Sequence, residues 1–170
     1  MDNQTIGTLV CNDPKLWMVL RIFVKPCPSL YCQTSLTCLC KGLPTVLPKL
    51  PSRVCIHRVF PCLAKEFVNP DMVPFVLPSS LQIADTASRE DYARHILPSL
   101  KPVMKMMEPI QILLIFMQRM DLLLEKTPPE DIKSDVLPMV YRALGSNVSQ
   151  IQELCLSIIP NFAGKSQHTT

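Results

Sequence analysis

The sequence predicts an all-α fold, a solenoid of about three helical hairpins preceded by an irregular segment. Three observations lead there. Aromatic residues make up 6% of the 170 and there are only 4 glycines, too few for aromatic strands and Gly-rich turns. From about Thr45 onward, apolar residues recur at helical spacing. That regular stretch also repeats itself with a period of about 40 residues.

The helices carry start and stop signals. Ser52 is placed to cap the first, and Asn69-Pro70 opens the second. Ser88-x-x-Asp91 resembles a capping box, and Glu108-Pro109 puts a proline at a helix start. Thr127-Pro128-Pro129-Glu130 reads as cap, first helical proline and box-closing acid, with Gly145 as the stop. Ser149-x-x-Gln152 is another box. Six helices follow, over about 52–67, 70–84, 89–106, 109–125, 128–144 and 150–163. Their short connections predict antiparallel neighbours.

Alternate helices differ in pattern. In 89–106, Tyr92, Ile96, Leu97, Leu100, Val103 and Met107 form one apolar stripe opposite Arg94, His95, Ser99 and Lys101, the pattern of an outer helix. In 109–125, the run Ile112 to Met117 is apolar nearly all round, which predicts burial on most sides. Met104, Met106 and Met107 read as core filler.

The repeat is visible residue by residue. ILPSLKPVM (96–104) aligns with VLPMVYRAL (136–144), and the helices after them align as well. VFPCLAKEF (59–67) carries the same apolar-Pro core. Pro61, Pro98 and Pro138 therefore mark one place in three outer helices. A lone internal proline costs a helix about 3 kcal/mol. Three at one register predict a kink built into each repeat. Two helices per unit at this period is the HEAT/armadillo class, with an irregular helical bundle as the other reading. Three hairpins are about the minimum for such a stack, and uncapped apolar ends favour association.

The organisation expected is an irregular Cys/Pro-rich segment over 1–44, repeats over 45–163 and a tail over 164–170. Five of the 8 cysteines (Cys11, Cys27, Cys32, Cys38, Cys40) lie in that first segment with no CxxC pair and no histidine among them. Such spacing argues against zinc. Cys55, Cys62 and Cys155 fall in apolar helical patterns and read as small hydrophobes. Leu16 to Val24 is too short to span a bilayer and contains Arg21, and acidic Asp2 and Asp13 make a poor signal peptide. A cytoplasmic chain is expected, in which the sequon at Asn147 has no role. The net charge of +3, without a Lys/Arg run, does not argue for nucleic acid.

No catalytic, cofactor-binding or metal-ligating residue is expected. His57, His95 and His168 have no nucleophile or carboxylate at triad-like spacing. There is no HExxH, P-loop or GxGxxG. His57-Arg58-Val59 has valine where a kinase catalytic loop needs its base. Asp121, Glu125, Glu130 and Asp131 cluster at a helix boundary and read as solvated or capping carboxylates.

Four segments carry a resemblance: KGLPTVLPKLPSRV (41–54), EFVNPDMVPFVLP (66–78), EPIQILLIFMQRMDLLLEKTPPEDIKSDVLPMVYRAL (108–144) and QIQELCLSIIPNFA (150–163). Together they resemble the HEAT-repeat region of the SCY-like pseudokinases, in the coated-vesicle-associated kinase branch. The resemblance implies a non-catalytic protein-binding scaffold in clathrin-mediated vesicle traffic and endocytosis. It implies clathrin coat and adaptor components as partners, at coated vesicles and the periphery of Golgi and endosomes. The family places a kinase-like domain before the repeats. Here residues 1–40 match nothing in the family, and the terminal GKSQHTT stands where the family continues with further helices. Nucleotide and adaptor binding therefore do not carry over to named residues. An unrelated cytosolic HEAT-repeat adaptor is the alternative.

Overall fold

The computed structural model describes residues 42–165, with side chains to Pro160. The irregular segment and the tail expected at the two ends lie outside these residues, except that 42–46 are already helical and 164–165 still are. No strand occurs among the described residues.

Residues 42–46 and a 3-10 turn, Leu47–Lys49, make α1. Helix α2 covers 52–68 and ends in a 3-10 turn, Glu66–Val68. Helix α3 is Val73–Thr86. Helix α4 covers 89–104. Helix α5 is Gln111–Gln118 continued by Met120–Lys126, with a break at Arg119 (φ −118°, ψ 25°). Helix α6 covers 129–144, and α7 is Ser149–Lys165. The six expected helices are thus present with ends moved by a few residues, and α1 is added in front.

The helices pack as hairpins: α2 on α3, α4 on α5, and α6 on α7. Hairpins stack so that α3, α5 and α7 form one layer. In the other layer, His57 of α2 meets His95 of α4, and Lys101 of α4 reaches Asp131 of α6. Helix α1 sits on α3, where Gln82 donates to the Pro44 carbonyl at 3.1 Å.

The proline kink has a definite form. Immediately before each proline the helix widens into one π turn: Cys55–Val59, Tyr92–Ile96 and Ile132–Val136. Phe60, Leu97 and Leu137 each donate their N–H five residues back, to Cys55, Tyr92 and Ile132. The next residue is Pro61, Pro98 or Pro138, which has no N–H to give. In a regular helix the ring would strike the carbonyl four residues back. The wide turn opens that site, so each proline is accommodated rather than forced.

A single apolar core runs from Leu43 to Ile158. In α5, Ile112, Leu113, Phe116, Met117, Met120 and Leu122 to Leu124 are buried, so this helix is covered on most sides, as its pattern predicts. In α4, Tyr92, Ile96, Leu97, Leu100 and Val103 are buried. Met107 is a correction. It lies beyond the helix and is 68% exposed, while Met104 takes the core position and Met106 packs against the core's edge. Cys55 and Cys155 are buried, and Cys62 is half-buried. Burial pushes the Cys55 and Cys155 thiols up, which keeps them protonated and inert.

A shift of one repeat shows what a neighbour covers. Leu97 and Met104 of α4, which has α6 beside it, are buried, but their counterparts Leu137 and Leu144 are only half-buried. Ile115 is half-buried beside α7, and its counterpart Leu156 is 61% exposed. The α6–α7 face therefore has the build of an inter-repeat contact.

Leu100→Ala should cost about 2–5 kcal/mol in chemical denaturation, because a closed core site is emptied. Leu156→Ala should stay within about 0.5 kcal/mol. Pro98→Ala should change stability by less than ~1 kcal/mol. A gain near ~3 kcal/mol would mean that the ring is strained in the native helix.

Candidate functional site

The sequence-singled carboxylates do not converge on one point. Glu125 and Glu130 are exposed. Asp131 is a correction, being neither solvated nor merely capping. It accepts from Lys101 at 2.6 Å across the α4–α6 boundary. Asp135, which no sequence motif singled out, is 6% exposed and completes the cluster. It takes Lys105 at 3.3 Å, Lys101 at 3.9 Å and the Ser134 hydroxyl at 2.9 Å. The Asp131 hydrogen bond raises the Lys101 pKa, outweighing the lowering by desolvation, and the charges of Asp131 and Asp135 add to the rise. This is an ionic seam between repeats. Its signal in the sequence is faint, because Asp135 looks like any polar residue on an outer helix.

A second set of polar contacts closes helix ends. The last carbonyls of a helix lack intrahelical donors. Lys126 of α5 donates to Ala84 at 2.9 Å, to Ala87 at 2.6 Å and to the Asp85 carbonyl, so one ammonium closes the end of α3. Its charge also matches the negative pole of that helix. Arg142 of α6 donates to the Met104 carbonyl and closes α4. Gln152 of α7 donates to Leu144 at 3.2 Å and Ser146 at 2.7 Å, closing α6.

Several expected caps are therefore replaced. Gln152 serves the preceding helix, and Ser149 is already inside α7. Gly145 has φ −78°, so its left-handed freedom goes unused. Thr127 does not cap α6. Its hydroxyl lies 3.0 Å from the buried Tyr92 hydroxyl, which would otherwise have no partner. Pro129, not Pro128, is the first helical residue of α6. Asn69 accepts from the Asp71 N–H in a turn before α3, which starts at Val73. Ser52 makes no cap and donates to the Thr86 carbonyl. Ser88 does cap, accepting from the Asp91 N–H at 3.1 Å while its hydroxyl donates to the Asp91 carboxylate at 2.9 Å.

His57 and His95, far apart in sequence, meet edge to face with ring centroids 4.9 Å apart, both exposed. His168, the five N-terminal cysteines and Leu16 to Val24 lie outside the described residues. Among the described residues, no group of three or more His, Cys, Asp and Glu is placed to hold a metal ion. No helix among them is long and apolar enough to cross a membrane.

What the described surface offers instead is apolar side chains. Val68 is 86% exposed, Met107 68% and Val148 37%. Val68 is the last residue of α2, and Met107 and Val148 lie in the α4–α5 and α6–α7 connections. Phe75, 43% exposed, stands at the start of α3.

Stacked hairpins with prolines in register and side-chain latches between neighbours define a HEAT-type helical-repeat protein. The chain belongs to the SCY1-like family. Over 123 residues it is 68% identical to SCY1-like protein 2 of Homo sapiens, and equally so to SCY1-like protein 2 of Mus musculus. That stretch is 72% of this chain and 13% of either relative, so the chain spans a small part of the length of the curated relatives it matches. No family model matches the chain, and no solved structure does.

Lys126→Met keeps the stem and removes the charge-assisted bonds. It should cost about 2 kcal/mol in a denaturant melt. Burial pushes the Tyr92 phenol up to about 12, against the lowering effect of its Thr127 bond. Above pH about 10 the unfolded chain loses that proton before the folded chain does. Stability should therefore fall as pH rises from 10 towards 12. Tyr92→Phe should make the fall shallower in thermal melts, at a cost of about 1 kcal/mol at neutral pH.

Proposed function

We propose that these repeats are a non-catalytic protein-binding scaffold acting in clathrin-mediated vesicle traffic and endocytosis. The observation that carries this reading is the 68% identity to SCY1-like protein 2 over 123 residues. An unrelated adaptor would not share that identity, so the alternative loses its ground. The clathrin role itself comes from the family resemblance. By that resemblance the partners are clathrin coat and adaptor components. The place of action is the cytoplasmic surface of coated vesicles and the Golgi and endosome periphery.

The chemistry of the stack agrees with binding rather than catalysis. Most of its inward polar side chains are engaged in structure: Tyr92 with Thr127, Asp135 with two lysines, and Lys126 and Arg142 on carbonyls, with only Ser79 Oγ and Arg142 Nε left unpartnered among the buried side-chain atoms of the described residues. General acid–base or nucleophilic work needs groups that converge on an open site and remain available to substrate.

The immobilised 170-residue chain should enrich clathrin heavy chain and adaptor subunits from a coated-vesicle extract, relative to an unrelated HEAT-repeat bait. Equal recovery on both baits would sink the trafficking reading. Saturating Mg-ATP should leave the melting temperature unchanged. A saturable upward shift would overturn the non-catalytic part, since ligand binding to the native state must stabilise it.

A further inference from the structure

We propose that His57 and His95 together bind a divalent transition-metal ion, as two imidazole ligands from neighbouring repeats with water completing the shell. The bound ion ties α2 to α4 and stiffens the junction between the first two hairpins.

The pair arises from the repeat. His95 stands three residues before Pro98, and Asp135 stands three residues before Pro138. Each side chain meets the outer helix that precedes its own. Asp135 meets Lys101 and Lys105 of α4, whereas His95 meets His57 of α2. One register thus makes an ionic seam at one boundary and an imidazole pair at the other. Among the described residues no ion pair joins α2 to α4. Neither histidine hydrogen-bonds to another described residue, so the ring nitrogens are uncommitted within the described stack.

The separation suits chelation. The ring centroids are 4.9 Å apart and the ring planes are inclined at 79°. A zinc–nitrogen bond of about 2.0–2.1 Å holds an imidazole centroid about 3.2 Å from the metal. Two such rings then have centroids about 4.5 Å apart at a right angle and about 5.2 Å apart at the tetrahedral angle. The observed separation falls between these two. Both rings are exposed, so each can turn about its side-chain bonds to aim a nitrogen at the ion while the helices stay in place. A plain edge-to-face contact also has this spacing, but between exposed rings it excludes little water and leaves the nitrogens free.

Ligand type selects the metal. Imidazole suits Cu²⁺, Ni²⁺ and Zn²⁺, whereas Mg²⁺ and Ca²⁺ take oxygen ligands. Among the described residues no carboxylate or thiol joins the pair as a third ligand. Two protein ligands make an open, exchangeable site, unlike a structural zinc site closed by four. Arg94, beside His95, has its charge offset by Glu90 at 2.9 Å. Arg58, beside His57, adds a positive charge that keeps the affinity modest.

The test uses the whole untagged chain, with Ni²⁺ as the probe and thermal melts as the readout. Saturating Ni²⁺ should raise the melting temperature by at least about 3 °C, and Mg²⁺ should not raise it. His57→Ala and His95→Ala should each abolish the shift, and the double variant should lose nothing further. Such non-additivity separates one shared ion from two histidines that bind independently. His168→Ala should keep the full shift. Both paired histidines are exposed, so without metal the variants should melt close to the wild type. Titration calorimetry should find one Ni²⁺ fewer per chain in the double variant than in the wild type. No shift in the wild type, a partial loss in each single variant, or a shift that survives the double variant and is therefore held by thiols or His168 would each overturn the proposal.

Discussion

A helical hairpin of this sequence has more apolar surface than it can bury by itself, and every other feature depends on that constraint. Helix α5 shows it most plainly, with an inner run that α3, α4, α6 and α7 cover together. Burying an aliphatic side chain stabilises by about 1.5–3 kcal/mol, so each hairpin gains most of its stability from its neighbours. The outer helices must then hold one register along the stack. Pro61, Pro98 and Pro138, each just after a widened turn, recur at that register.

Polar contacts act within the same constraint. A buried carbonyl without a donor would cost about 1–3 kcal/mol, and a tightly stacked repeat has little room for water at its helix ends. Lys126 and Arg142 supply those donors from the next repeat, and Gln152 does so within its own. Asp131 and Asp135 hold Lys101 and Lys105 across the same boundary. The identity of each hairpin's neighbour thus enters through charge as well as shape.

Much of this architecture was legible in the sequence. The helices, the hairpin order, the burial of α5 and the prolines in register all follow from local periodicity and a repeat of about 40 residues. Other features were not legible, because their partners lie a whole repeat away. Thr127 reads as a cap until Tyr92, buried against it, is seen to need its hydroxyl. Nothing in the sequence singles out Lys126, whose role depends on the end of α3 coming within its reach. Gly145 reads as a left-handed stop, but Gln152 and Ser146 satisfy the carbonyls without it. Met107 fits the helical stripe by spacing, yet α4 ends at Met104 and leaves it outside.

The reach-back of Lys126 to α3 and Arg142 to α4 also bears on how such a chain can lengthen or shorten in evolution. Each donor and its acceptor belong to different copies of the repeat. The heritable module is therefore not a hairpin with clean borders, but a hairpin together with the socket it fills on its predecessor. Copying one whole period carries plug and socket along together. Losing half a period strands an ammonium on one side of the gap and a row of open carbonyls on the other. Array length in a protein of this kind is thus quantised by its helix ends as firmly as by its core.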